Sequence, residues 1–134
     1  MKLKKLLVIL GMMLQLTQLA WADGGIKPLN QMNYHFELTS SPVAIVVWMN
    51  KSSIDDYTVR MKENLRDLVE FYQFDPNIKI FTVDTLREPM LTQVEKIKNL
   101  PTVQIYKFGQ KFSSRSGLLF MDDLLLMIDD ARFH

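Results

Sequence analysis

The chain has 134 residues, no cysteine and a formal net charge of +1. This length suits a single domain, and the proportions of hydrophobic (48%) and charged (23%) residues are typical of a globular protein, not a disordered one. Without cysteine there is no disulfide, no thiolate metal site and no thiol catalysis. The near-neutral charge also argues against nucleic acid as a partner.

The first 22 residues have the three parts of a secretory signal peptide. Three lysines stand within residues 1–5, an apolar run follows at Leu6–Leu14, and a small-x-small motif ends at Ala22. A membrane anchor is the alternative, but Gln15 and Gln18 interrupt the apolar run, and a spanning helix needs about 20 apolar residues. We therefore expect cleavage after Ala22, export to the periplasm or the medium, and no stable membrane anchor in the mature protein.

Cleavage would leave one domain, residues 23–134. The loss of 22 residues that include three lysines and no acid changes the formal net charge from +1 to −2. A domain of this size buries about 65% of the surface that its unfolded chain exposes. Packing alone can therefore hold it together in a compartment where disulfides would be permitted.

The mature chain predicts strands that alternate with helices. Residues 23–29 are a loose lead-in or a short strand, and residues 32–38 fit either a half-buried strand or a helical turn. The remaining strands are predicted at 43–48, 78–83, 102–108 and 111–115, with a long helix after the first of them, a short helix from Pro89 and a final helix at 122–131. This order predicts a mixed α/β domain whose last strand is antiparallel to the one before it.

Helical periodicity assigns the core-facing side chains. The predicted set is Tyr57, Met61, Leu65, Leu68, Tyr72, Met90, Leu124, Met127, Ile128 and Ala131. On the final helix Leu126 points the opposite way, and Leu118, Leu119 and Phe120 add apolar residues just upstream. This surface fits a homodimer or a larger assembly.

Four segments resemble the thioredoxin superfamily. Residues 42–48 resemble its central strand with a terminal aromatic residue, and Val83-Asp84 resembles the end of the next parallel strand. Residues 99–109 are similar to its proline-threonine strand and turn, and Gly117 to the glycine before its last helix. The resemblance covers roughly residues 26–131. It implies a three-layer thioredoxin-like fold, a mixed sheet flanked by helices, and a cis peptide bond before Pro101.

The same resemblance indicates that the redox chemistry is missing. It puts Ser52 and Asp55 at the two cysteine positions, Val46 at the buried acid and Ile80 at the strand lysine that often accompanies that acid. Lys51 stands where the family often has tryptophan. Disulfide exchange needs a thiolate that attacks sulfur and can leave again, so thiol oxidoreductase activity is excluded.

Other chemistry finds little support in the remaining residues. Ser52-x-x-Asp55 resembles a capping box that satisfies the first amides of a helix. A serine nucleophile needs a base within reach, and His35 and His134 are far from Ser52 in sequence. No metal-ligand spacing is present, and we expect no catalytic residue, no metal and no cofactor.

The function predicted is a redox-inactive, exported thioredoxin-like module that binds a protein or peptide, with an extended segment of another envelope or exported protein as its partner. The predicted binding residues are Ser52, Ser53, Ile54, Asp55, Leu100, Pro101 and Gly117. One alternative is a structural subunit of an envelope or secretion complex that associates through its final helix. A non-thiol enzyme, or a binder of a glutathione-like ligand, is the other.

Overall fold

Five strands form one mixed sheet in the computed structural model, which describes residues 25–134; the predicted signal peptide lies outside these residues. The strands are β1 (Ile26–Pro28), β2 (Val43–Met49), β3 (Ile78–Asp84), β4 (Thr102–Lys107) and β5 (Gln110–Ser116). They lie in the order β1-β3-β2-β4-β5. The first three are parallel, β4 is antiparallel to β2, and β5 is antiparallel to β4 as predicted.

Helices cover both faces of this sheet. They are α1 (Tyr34–Ser40), α2 (Asp56–Phe71), α3 (Pro89–Val94) and α4 (Met121–Phe133). Residues of α2 and α4 share a core cluster with Ile45 and Val47, whereas Leu38 of α1 and Leu91 of α3 share the other cluster with Trp48. The predicted three-layer α/β architecture is therefore confirmed.

The central strand β2 is buried at all seven of its positions. Its residues are β-branched or apolar and carry no charge, which is the pattern of a strand covered on both faces. Successive side chains of a strand point to opposite faces. Ile45 and Val47 accordingly lie in one cluster while Val46 and Trp48 lie in the other, and the prediction for this segment is confirmed.

Residues 32–38, whose pattern fits either a strand or a helical turn, lead into helix α1, which begins at Tyr34. The Asn30 carbonyl accepts from the Tyr34 N–H at 3.0 Å, and the Asn30 side chain accepts from the backbone N–H groups of Met32 and Asn33. This turn directs the chain into α1, where Leu38 is buried. Met32 and Phe36 are exposed, so the alternating pattern that suggested a strand does not mark one buried face.

Two core assignments, Tyr57 and Met90, and one surface assignment, Leu119, are wrong. Tyr57 is about half exposed, and Thr58 of the same first turn of α2 is buried instead. Met90 is exposed because α3 has only six residues and buries Leu91 alone. Leu119 is buried, and its carbonyl accepts a hydrogen bond at 2.8 Å from the Asn64 side chain of α2. The other predicted positions on α2 and α4 are buried.

A chain of buried hydrogen bonds crosses the core beneath α1. The Gln104 side-chain oxygen accepts from the Trp48 indole N–H at 2.9 Å and from the Tyr106 hydroxyl at 2.7 Å. The Tyr34 and Tyr106 hydroxyl oxygens are 2.9 Å apart. Burial raises the pKa of Tyr106 to about 12, and burial followed by the Tyr106 hydrogen bond raises the pKa of Tyr34 as well. Both phenols therefore stay neutral and keep their protons for hydrogen bonding.

We expect Gln104→Ala to lower the free energy of unfolding by about 2–4 kcal/mol, because it leaves two buried donors without an acceptor. Urea unfolding followed by tryptophan fluorescence measures the change. Gln110→Ala is the matched control, since this exposed glutamine begins β5 and should shift stability by less than about 0.5 kcal/mol. Equal shifts in the two variants would contradict a structural role for the buried network.

Candidate functional site

The predicted binding residues meet at one edge of the sheet, which we call the site edge. This is the edge where the parallel strands β1, β3 and β2 end. Trp48 near the end of β2 pairs with Thr102, and Thr102 pairs with Ser116. The Gly117 N–H donates to the Pro101 carbonyl at 3.0 Å. Register and this hydrogen bond therefore bring loop 50–55, residues 99–101 and Gly117 to the same edge.

Loop 50–55 is held by its own hydrogen bonds. The Ser53 N–H donates to the Asn50 carbonyl, and the Ser52 N–H donates to the Asn50 side chain, each at 3.0 Å. The Lys62 ammonium of α2 donates to the Lys51 carbonyl at 2.7 Å. The loop is thus a tight turn fastened to the helix that follows it.

Asp55, and not Ser52, caps helix α2. Its carboxylate accepts from the Thr58 N–H and from the Thr58 hydroxyl, both at 2.9 Å, and from the Ser53 hydroxyl. The predicted capping box, with Ser52 as the N-cap residue, is wrong. The Ser52 N–H donates to the Asn50 side chain within the preceding turn, and the helix begins later, at Asp56. The Ser53 hydrogen bond, followed by those from Thr58, lowers the pKa of Asp55.

Leu100 offers an open backbone at the site edge. The Leu100–Pro101 bond is cis, as the resemblance implies, and Pro101 is buried while Leu100 is 41% exposed. The N–H and C=O of Leu100 have no hydrogen-bond partner among residues 25–134. Gly117 has a φ of +95° and no heavy atom within 4 Å of where a Cβ would lie, so the chain bends beside Pro101 without filling the space next to it.

Exposed apolar side chains accompany this backbone. Ile54 is 90% exposed in the loop, and Leu118 and Phe120 are about half exposed between β5 and α4. The Arg60 guanidinium of α2 lies 5.5 Å from the centre of the Phe120 ring, within range of a cation–π contact. The site edge therefore combines unpaired backbone with apolar surface.

A polar cleft of about 460 Å³ borders the other side of loop 50–55. Its charged and amide side chains belong to Asn30, Lys51, Asp84, Arg87 and Glu88. No local sequence pattern predicts this cleft, because its residues come from three separate segments. The signal that could have found it is that Asn30 and Asp84 stand at the ends of parallel strands, which meet at one edge.

Among residues 25–134 Ser52 has no hydrogen bond to either histidine, whereas Asp84 and Glu88 line the same cleft as Ser52. His35 is exposed on α1, and His134 follows α4 at the opposite end of the sheet, where its ring lies 3.8 Å from Asp130. Within residues 25–134 no cluster of three or more histidines and carboxylates could hold a metal ion. In that same part of the chain no helix has the length and apolar character needed to cross a membrane.

Comparison with known proteins identifies the fold. No protein-family model matches the sequence, and no curated protein matches it. Solved structures do match, including a mutant thioredoxin from Halobacterium salinarum, with a TM-score of 0.69 at 13% identity over 81% of this chain and 91% of that one. The fold is thioredoxin-like. Mitochondrial thioredoxin 3 from Saccharomyces cerevisiae gives a TM-score of 0.67 at 18% identity over 78% of this chain and 94% of that one, and a designed protein gives 0.68 at 19% over 81% and 93%.

One expectation drawn from the thioredoxin resemblance needs correction. Val46 was assigned to the buried acid and Ile80 to the lysine that accompanies it, but these side chains lie in different core clusters on opposite faces of the sheet. Phe81, which pairs with Val46 in the register, shares its face. With no cysteine in a thioredoxin-like fold, the chain has no thiolate to carry out disulfide exchange.

We expect Asp55→Ala to lower the urea midpoint of unfolding, because it removes the acceptor for the Thr58 N–H at the start of α2. Since the folded state lowers the pKa of Asp55, the stabilisation is present above the ordinary pKa of about 3.9 and is lost as pH falls through the folded value. The gap between parent and variant should therefore shrink in acid.

Asp56→Ala is the control for this pair of measurements, because Asp56 lies in the same first turn and is not the N-cap residue. A midpoint for Asp55→Ala no lower than that for Asp56→Ala, or a gap independent of pH, would contradict the capping role.

Proposed function

We propose that this chain is a redox-inactive thioredoxin-like module that binds an extended segment of another exported protein at the site edge. The residues assigned to binding are Ser52, Ser53, Ile54, Asp55, Leu100, Pro101 and Gly117. The observation that carries the proposal is that Leu100 is 41% exposed and that its backbone N–H and C=O have no hydrogen-bond partner among residues 25–134.

An extended peptide is the ligand that suits unpaired backbone. Its N–H and C=O groups can pair with those of Leu100, as in other modes of peptide recognition where main-chain hydrogen bonds supply affinity. Gly117 leaves room beside Pro101 for such a segment. A bound strand would thus satisfy polar groups that otherwise bond only to water.

The side chains at the site edge indicate what the segment carries. Ile54 extends from a loop fastened by hydrogen bonds, so it can contribute apolar contact with little loss of backbone entropy on binding. Leu118 and Phe120 add apolar surface. We infer that the bound segment places at least one apolar side chain between Ile54 and Leu100.

Binding in this proposal is reversible and non-covalent. The resemblance places Ser52 and Asp55 where thioredoxins have their redox cysteines, and Asp55 is already engaged as the cap of α2. The partner is therefore held by contacts alone. Export, proposed from residues 1–22, would place that partner in the periplasm or outside the cell.

Panning a library of random, cysteine-free linear peptides against the chain tests the proposal. We expect enriched sequences with an apolar residue, and we expect Ile54→Asp and Leu100→Asp to abolish their capture, because each puts a charge into the apolar contact. Fluorescence anisotropy with one enriched peptide measures the loss.

Phe74→Asp is the matched control, since Phe74 is 89% exposed and lies at the opposite edge of the sheet. It should bind the peptide as the parent does. Capture that survives both site variants, or that Phe74→Asp abolishes equally, would remove the site edge as the binding surface.

A second candidate function is assembly through α4. Leu126 is 68% exposed on the outer face of this helix, although Leu124 and Met127 on its inner face are buried as predicted. An exposed leucine in the middle of a helix is suited to packing against another subunit.

For this candidate we expect multi-angle light scattering to show an oligomer for the parent and a monomer for Leu126→Asp, because the introduced charge would be buried in the interface. Phe36→Asp, which adds the same charge at an exposed residue of α1 on the other face of the sheet, should leave the oligomer intact. A parent that is already monomeric removes this candidate.

A further inference from the structure

Strand β5 borders the sheet and has no neighbouring strand on its outer side. The sheet ends with it in the order β1-β3-β2-β4-β5, and six of its seven residues are exposed. On the side away from β4, its backbone N–H and C=O groups have no hydrogen-bond partner among residues 25–134. We call this row of groups the open side of β5. Such a row is a template for pairing with another strand.

The two borders of the sheet differ in how well they are protected against strand addition. At the other border, β1 has three residues and ends in Pro28, and a short strand with a proline offers little backbone to pair with. β5 has seven residues and no proline, and Ser113, Ser114 and Ser116 are too small to shield the backbone between them. β5 is therefore the border at which the described part of the chain can accept another strand.

The neighbouring strand β4 holds β5 in place. Residues 102–105 of β4 are buried and pair one by one with residues 113–116 of β5. The Thr102 and Ser116 hydroxyl oxygens are 2.7 Å apart, which adds a side-chain hydrogen bond to the ladder. Because this part of β5 is already extended and paired, an added strand would order little further backbone in this chain.

A β-bulge places one cation on each face of β5. Phe112 has no opposite residue in β4. Lys111 pairs with Tyr106, which belongs to the core cluster under α1 and α3, whereas Arg115 pairs with Val103 of the cluster under α2 and α4. Opposed residues of neighbouring strands share a face, so the two cations lie on opposite faces. Without the bulge, residues four apart in a strand would share one face.

The carboxylates near β5 leave Lys111 without an ion pair. Asp122 and Asp123 begin α4, and Asp123 lies 3.6 Å from Arg115. On the other face of the sheet, Glu95 lies near the buried tyrosine hydroxyls. Among residues 25–134 no carboxylate lies within 4 Å of the Lys111 ammonium. Lys111 can therefore pair with a carboxylate that a partner brings.

A second copy of this chain is a poor partner for β5. The strand carries two cations and no acid, so no register between two copies sets a carboxylate opposite a cation. The antiparallel register centred on Ser113 sets Lys111 directly opposite Arg115 of the other copy, and directly opposed like charges destabilise a pair of strands. An acidic strand makes both contacts attractive. The charges that hinder self-pairing thus favour an acidic partner.

We propose that the open side of β5 binds an extended acidic segment of a partner protein, which adds a sixth strand to the sheet. Main-chain hydrogen bonds along residues 113–116 supply the affinity, as in other proteins that extend a sheet with a bound strand. A carboxylate at Lys111 supplies the charge selectivity. This surface is the side of a strand and not the site edge, so it does not depend on the peptide proposed to bind at Leu100.

Three labelled peptides test this proposal with the full chain, by fluorescence anisotropy at one ionic strength. The first repeats threonine, glutamate and valine, so that its acids point to both faces of a strand. The second has lysine in place of glutamate. The third keeps the glutamates but has proline in place of valine, which prevents strand pairing. We expect saturable binding of the first peptide and none of the other two.

Lys111→Glu should weaken binding of the first peptide about fivefold to tenfold, because an attractive cross-strand pair becomes a repulsive one. Lys79→Glu is the matched control, since it changes the net charge equally and Lys79 is exposed on β3, with β2 and β4 between it and β5. Ile54→Asp at the site edge should bind this peptide as the parent does, which separates this proposal from the one for the site edge. Hydrogen exchange should slow at residues 110–116 when the peptide is bound.

The proposal is wrong if the proline peptide binds as well as the valine peptide, since charge alone would then attract it. Equal losses in Lys111→Glu and Lys79→Glu, or exchange that slows at loop 50–55 and not at β5, would also contradict it. Exchange at residues 110–116 that slows with rising protein concentration in the absence of peptide would identify a second copy of this chain as the occupant. Circular dichroism of each variant confirms that it is folded.

Discussion

Burial of β2 on both faces is the constraint from which the rest of the structure follows. All seven of its residues are inaccessible, so one helix pair is needed on each side, and neither pair alone would cover them. A strand enclosed in this way can reach solvent only at its two ends. The polypeptide that leaves it at Asn50 therefore emerges between the two helical layers, which is where the candidate site lies.

A segment of this chain was predictable from the sequence where its own residues decide its structure, and not where contacts with other segments decide it. β2 was predictable because an unbroken apolar run fits a strand buried on both faces. The inner face of α4 was predictable because the spacing of its apolar residues fits one helical face. Residues 32–38 matched two periods, and the turn at Asn30, with hydrogen bonds to Met32 and Asn33, decided between them. The N-terminus of α2 was misplaced for a similar reason, since Ser52 and Asp55 are both good caps and only the turn at Asn50 separates them.

The candidate site was predictable as a set of segments but not as a surface. The proline-threonine strand and the loop after Trp48 are local patterns, and their meeting at one edge follows from strand order. The polar cleft with Asn30 and Arg87 needs three segments to converge, and the correction at Ile80 depends on which face a side chain takes. A one-residue difference in register reverses that face, so a spacing count cannot decide it.

Strand β4 runs from one edge of the sheet to the other, beginning at the site edge and ending at the opposite edge. Leu100 and Pro101 precede its first residue, and Phe108 follows its last. Six residues of strand span about 20 Å, and this strand is paired on both sides, by β2 and by β5. Its position is therefore fixed by hydrogen bonds to both neighbouring strands. A peptide held at Leu100 would thus dock onto backbone whose position is set by the neighbouring strands and not by the surrounding loops.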